Sequence, residues 1–139
     1  MTGVEWAFVA LGSNLGDRSG YLAFARNRLA AIPATELVAA SSIEETLPLG
    51  DIDQGPYLNQ MVLLSTSLSP RELLGHCFQI EGEAGRVRQE KWGARTLDLD
   101  IVLFGDQTMS DTDLKIPHPE YPNRVFWQRE VAELEHHAR

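Results

Sequence analysis

Cysteine is almost missing from this chain. Cys77 is the single one among 139 residues, so no internal disulfide can form, and no Cys/His spacing of a zinc site accompanies it. Positive charge is scarce as well: 12 Lys and Arg against 20 Asp and Glu leave a formal net charge of −8. An extended nucleic-acid or anionic-membrane surface needs the opposite sign, so neither partner is expected. There is no run of about 18 apolar residues, and the N-terminus MTGVEWAFVALGSN has neither a basic leader nor a cleavage pattern, which makes the cytoplasm the expected location. No repeat, low-complexity block or linker divides residues 1–139, so one domain is expected. Neither G-x-x-x-x-G-K-[ST] nor G-x-G-x-x-G occurs, which excludes a P-loop and a dinucleotide fingerprint.

What is present has the make-up of a globular fold, with 43% hydrophobic and 23% charged residues. WAFVAL (6–11) reads as a buried strand and GSNLGDRSG after it as turn. Leu22, Ala25, Leu29 and Ile32 recur at helical spacing until Pro33 stops the pattern. Segments 36–46 and 57–68 read as two strands separated by a Gly- and Pro-bearing loop. Ser69, Pro70 and Glu72 form an N-cap, a first-turn proline and a capping-box partner, ahead of an apolar stripe Leu73, Cys77, Ile80 and Ala84. TLDLDIVLF is a fourth strand. The order strand, helix, strand, strand, helix, strand predicts an α+β ferredoxin-like sandwich, with helices packed on a mainly antiparallel four-stranded sheet.

The fourth strand carries the main chemical signal. Alternation predicts Leu97, Leu99, Ile101 and Leu103 on one face, and Thr96, Asp98 and Asp100 on the other. Two carboxylates about 7 Å apart repel by about 2 kcal/mol at an effective dielectric near 20. A solvated strand face would screen that repulsion. A divalent cation would offset it, and hard carboxylate oxygens without Cys or His point to magnesium bridging to phosphate. Just upstream, Arg86, Arg88, Lys91 and Arg95 crowd into ten positions of an otherwise acidic chain. Charges on an exposed loop would also explain them. As a phosphate clamp, arginine offers a planar fork of donors that stays charged at any relevant pH.

ALGSNLGDR, TLPLG, PYLNQMVLLSTSLSPRELL, IEGEAGRVR, WGARTLDLDIVLFG, IPHP and NRVF run in order from about residue 8 to 126. Together they resemble the 6-hydroxymethyl-7,8-dihydropterin pyrophosphokinases of folate biosynthesis. The resemblance implies transfer of pyrophosphate from ATP to the pterin hydroxymethyl group with two magnesium ions, releasing AMP. It implies that Asp98 and Asp100 hold the metals and that Arg86 and Arg95 engage the phosphates during transfer. Arg88, Trp92, His118 and Arg124 would contact the triphosphate or close the site, and Glu81 and Ile101 lie where the family holds adenosine. The pterin would sit between Tyr57 and Phe126, with Asn59, Thr46 and backbone groups of Leu47 and Leu49 at its polar edge. Segments 13–17, 47–56 and 86–94 correspond to the family's closing loops.

This sequence departs from the family pattern in a shorter 89–91 loop, in Pro119 where some members carry an aromatic, and in a polar, shortened tail from about residue 127. Val131 and Leu134, with Phe126 or Trp127, could still make a short amphipathic helix. A monomer is expected, with a homodimer as the alternative if the short tail leaves apolar surface exposed. Two other functional readings stand beside the enzyme: a pterin- or nucleotide-binding relative with impaired or altered catalysis, and an unrelated ferredoxin-like interaction module.

Overall fold

The computed structural model describes residues 3–47, 56–85 and 96–138. In chain order these form β1 (Glu5–Ser13), α1 (Arg18–Ala30), β2 (Thr35–Ala40), β3 (Glu44–Thr46), β4 (Tyr57–Thr66), α2 (Pro70–Glu83) and β5 (Asp98–Phe104). A small hairpin of β6 (Met109–Ser110) and β7 (Lys115–Ile116) follows, and then α3 (Val125–Leu134). All strand pairings are antiparallel. β1 is central, flanked by β4 and β5, while β2 and β3 both pair with the far side of β4. The expected α+β arrangement, compatible with a ferredoxin-like fold, is therefore present.

Two helices cover one face because their apolar stripes leave no other way to exclude water. Leu22, Ala25 and Leu29 of α1, with Leu73, Cys77 and Ile80 of α2, pack on Val9, Leu11, Val62 and Leu64. Asp17 caps α1 through Gly20 N–H, and the Ser69–Glu72 capping box closes α2 as the sequence predicts. The opposite face is partly covered by α3, whose Trp127, Val131 and Leu134 pack on Phe8, Ala10, Met61 and Leu63. Each such side chain contributes about 1.5–3 kcal/mol on full burial. The polar tail thus makes the amphipathic helix its spacing allowed, and its apolar side is buried.

Two expectations need correction. The single strand read over 36–46 is two, β2 and β3, so the main sheet has five strands among the described residues rather than four. Ser41 causes the break. Its N–H reaches Met61 O (2.8 Å), while its Oγ accepts from Met61 N (2.9 Å). A hydroxyl thus takes a place in the ladder and the chain jogs. Leu103 is also not on the side of Leu99 and Ile101. Phe8 pairs with Leu103 and Val9 with Ile101, so Val102 is an extra residue in β5. That bulge turns Leu103 toward the α3 face.

Candidate active site

The β1–β5 register sets Asp98 opposite Gly12 and Asp100 opposite Ala10. Ala10 belongs to the α3-side core, so both carboxylates stand on that face of the sheet. Gly12 also pairs with Asn59, and a Cβ built on it would lie 3.5 Å from both Asn59 Oδ1 and Tyr57 Cδ1. Glycine is thus what leaves room between these side chains and the aspartates. Thr46 pairs with Tyr57, and its Oγ1 accepts a hydrogen bond from Asn59 Nδ2. Asn59 is buried, so this bond fixes its amide with the carbonyl oxygen toward Gly12. Adjacent strands of one sheet therefore carry Thr46, Tyr57, Asn59, Asp98 and Asp100 as a continuous row.

Beside Asp100 opens a cleft of about 320 Å³. Ile101, Glu81 and His118 line it, with Leu74 and Phe78 from α2 and Thr112–Lys115 from the β6–β7 hairpin. Glu81 is 4% exposed, and its Oε2 accepts from Leu99 N–H at 2.8 Å, tying the end of α2 to β5. His118 Nδ1 accepts from Glu120 N–H at 3.0 Å, which leaves Nε2 to carry the proton of the neutral ring. Nε2 lies 3.6 Å from Asp100 Oδ1, an approach too long for a hydrogen bond but short enough for electrostatic contact. Trp127 braces the imidazole in a T-shaped contact, with ring centres 4.9 Å apart at 88°.

The same indole holds Arg124, whose Cζ lies 4.3 Å from the ring centre. Arg124 Nε is buried with no hydrogen-bond partner. A buried donor left unsatisfied costs about 1–3 kcal/mol, which suits a position that meets an anion. Phe126, on the first turn of α3, meets Trp127 edge-on at 6.2 Å. On the other side of the site, Arg18 Nη1 donates to Glu45 Oε2 and Pro56 O, each at 2.9 Å. One guanidinium thereby ties Glu45, just ahead of a predicted closing loop, to Pro56 at that loop's end. Leu47 is largely exposed at the start of that loop. Leu49, Arg86, Arg88, Lys91, Trp92 and Arg95 lie outside the described residues.

Residues 8–136 match the family model described as 7,8-dihydro-6-hydroxymethylpterin-pyrophosphokinase. The chain belongs to this family. It is 45% identical over 128 residues to the 2-amino-4-hydroxy-6-hydroxymethyldihydropteridine pyrophosphokinase of Bacillus subtilis, covering 92% of this chain and 77% of that protein. The protein of the same name from Haemophilus influenzae is 43% identical over 120 residues, 86% of this chain and 75% of its own length. That of Pseudomonas aeruginosa is 41% identical over 131 residues, 94% and 81% respectively. Membership makes the protein an enzyme of pyrophosphoryl transfer. It sets aside the unrelated interaction module and does not favour the binding-only relative.

Within this pyrophosphokinase, the predicted site residues that the structure describes fall into two neighbouring groups, joined at Asp98 and Asp100. Sequence reasoning missed the apolar wall of Leu74 and Phe78 and the hairpin wall of Thr112–Lys115. A signal for the first existed: Leu74 and Phe78 form a second apolar stripe on α2, beside the core stripe, and Phe78 is 46% exposed. The hairpin had none, since its strands are two residues each. Cys77 is a buried core residue, as expected, and burial pushes its thiol well above the ordinary range.

Proposed function

We propose that this protein transfers the β,γ-pyrophosphate of ATP, as its magnesium complex, to the hydroxymethyl oxygen of 6-hydroxymethyl-7,8-dihydropterin, a step of folate biosynthesis. The observation that carries this is the pair Asp98 and Asp100 on one sheet face, between a cleft of nucleoside size and the Tyr57–Asn59–Thr46 row. The hydroxymethyl oxygen attacks the β-phosphorus, the bond from that phosphorus to the oxygen it shares with the α-phosphate breaks, AMP leaves, and the hydroxyl proton passes to solvent. Such in-line displacement depends on positioning and on neutralising charge rather than on a covalent nucleophile.

The donor set fits magnesium. Among the described residues no group of three or more His, Cys, Asp and Glu could hold a metal by itself. Two carboxylates suit an ion that takes its remaining ligands from phosphate oxygens and water. Bound there, magnesium would neutralise phosphate charge and polarise the transferring group. Two ions, both on Asp98 and Asp100, are the proposed number.

The chain's own groups do the positioning. Glu81 and Ile101 would border the adenosine, with Leu74 and Phe78 beside the base. His118, Arg124, Arg88 and Trp92 would meet the triphosphate, and Arg86 and Arg95 the moving phosphoryl groups. Tyr57 and Phe126 would hold the pterin ring, while Asn59 Oδ1, Thr46 and the backbone of Leu47 and Leu49 read its edge. We further propose one catalytic domain over residues 1–139, acting on small molecules as a cytoplasmic monomer. Among the described residues no helix is long and apolar enough to cross a membrane.

The test is to incubate the protein with ATP, magnesium and the pterin and to identify the nucleotide product. AMP is expected, with turnover abolished by a chelator and restored by added magnesium. ADP as product would overturn pyrophosphoryl transfer, and activity unaffected by chelation would overturn the metal assignment. A second check uses Gly12, since branching at its Cβ fills the space between Asn59 and Tyr57. Gly12→Val is expected to raise the KM for the pterin at least tenfold, roughly 1.4 kcal/mol of lost binding, while changing the KM for ATP less than twofold. Equal effects on both substrates would count against the pterin assignment.

A further inference from the structure

We propose that Arg71 is a positioning residue for the nucleotide, clamping the β6–β7 hairpin to α2 and so setting the width of the cleft beside Asp100; this rests on reading that cleft as the ATP site. The helix supplies the first argument. Arg71, Leu74 and Phe78 stand at positions i, i+3 and i+7 of α2, so they share one face. Leu74 and Phe78 form one wall of the cleft, and Thr112–Lys115 form the wall opposite. Arg71 reaches from the first wall to the second. Its Nη1 and Nη2 make a two-pronged contact with the Asp113 carboxylate at 3.1 and 2.8 Å, and Nη2 also meets Asp111 Oδ2 at 2.7 Å.

The hairpin supplies the second argument. It is held by only two residue pairs, Met109 with Ile116 and Ser110 with Lys115. A two-stranded hairpin is marginal alone even at greater length, so its placement depends on outside contacts. Lys115 Nζ donates to Asp111 O at 2.8 Å and closes the tip on itself, while Leu114 and Ile116 pack into the core beneath it and leave the outer end to Arg71. A lone exposed ion pair would contribute little, and Arg71 is 47% exposed. Here one planar fork engages two carboxylates, a geometry that lysine cannot reproduce. The guanidinium also holds the Asp113 carboxyl below its ordinary range, so the pair stays charged throughout neutral pH.

Arg71→Met keeps the aliphatic stem and removes the fork. The expected result is a KM for ATP raised about fivefold, with a matching loss of affinity for AMP, while kcat and the KM for the pterin stay within twofold. Arg71→Lys should fall between the two. Hydrogen exchange of the amides at 110–115 should quicken in Arg71→Met, a readout that needs no turnover. An unchanged KM for ATP with unchanged exchange would overturn the proposal, as would equal rises for both substrates. If the unaltered protein forms no AMP, the functional reading fails instead, and hydrogen exchange with AMP binding still decides the clamp.

Discussion

Asp98→Asn and Asp100→Asn are each expected to lower turnover by at least about 10³-fold, because either change removes a carboxylate from the pair proposed to carry the magnesium ions. Charge stabilisation of several kcal/mol is at stake at such a site, and about 1.4 kcal/mol corresponds to each factor of ten. The amide keeps the shape but not the charge, so the loss should come with weakened magnesium-dependent ATP binding. Folding should hardly suffer. Both residues are half-buried and Asp100 is 38% exposed at its side chain, and removing one charge relieves the mutual repulsion rather than breaking the core. Thermal melts within about 1 kcal/mol of the parent, beside near-zero AMP formation, are the predicted combination. Normal activity in either variant would falsify the assignment of that aspartate.

The second large effect lies outside the chemistry. Glu130 of α3 is 2% exposed, yet no donor reaches either of its oxygens. Burial, then the neighbouring Glu44 carboxylate, push its pKa up to about 9. Glu133 adds to the rise, while Arg129, which is ion-paired with Glu44, opposes it. Glu44 is held below its ordinary range, first by Glu130. Glu130 is therefore held toward its neutral form, and Glu44 toward its ionised one. In the unfolded chain Glu130 titrates near 4.5. The stability it contributes is fully present below that pH and is lost as pH rises toward 9, since the unfolded state gives up its proton first.

Glu130→Gln, neutral at every pH and still able to donate to Glu44, should erase that decline. It is expected to be more stable than the parent at pH 8 and nearly equal at pH 5, measured by urea unfolding at each pH. Parallel stability–pH curves for the two proteins would sink this account of Glu130. The pair sits where it matters. Glu44 lies two residues before Thr46, and Glu130 lies on the helix that carries Phe126 in its first turn and follows Arg124, so the pair joins both sides of the proposed pterin site.

Local patterns were legible wherever short-range rules apply. The capping box at Ser69–Glu72 and the stripe Leu73, Cys77 and Ile80 placed α2 almost to the residue. Alternation in TLDLDIVLF put Asp98 and Asp100 on one face, as observed. The same alternation misplaced Leu103, because a bulge at Val102 depends on how β5 meets β1 and not on β5 alone. Segment 36–46 looked continuous because its residues favour strand. Its interruption at Ser41 arises from hydrogen bonds to Gln60 and Met61 of another strand.

By itself, the sequence determined the helices and strands, the carboxylate pair, the exclusion of P-loop chemistry and the family. Periodicity, caps and motif spacing are written between residues a few positions apart. Only the tertiary structure decided that α3 covers part of the open face of the sheet, that the hairpin at 109–116 meets α2 to make a cleft, and that Glu130 is buried beside Glu44. Those features join groups some 30 to 120 positions apart, and burial, register and electrostatic coupling come into being only when the chain has brought them into contact.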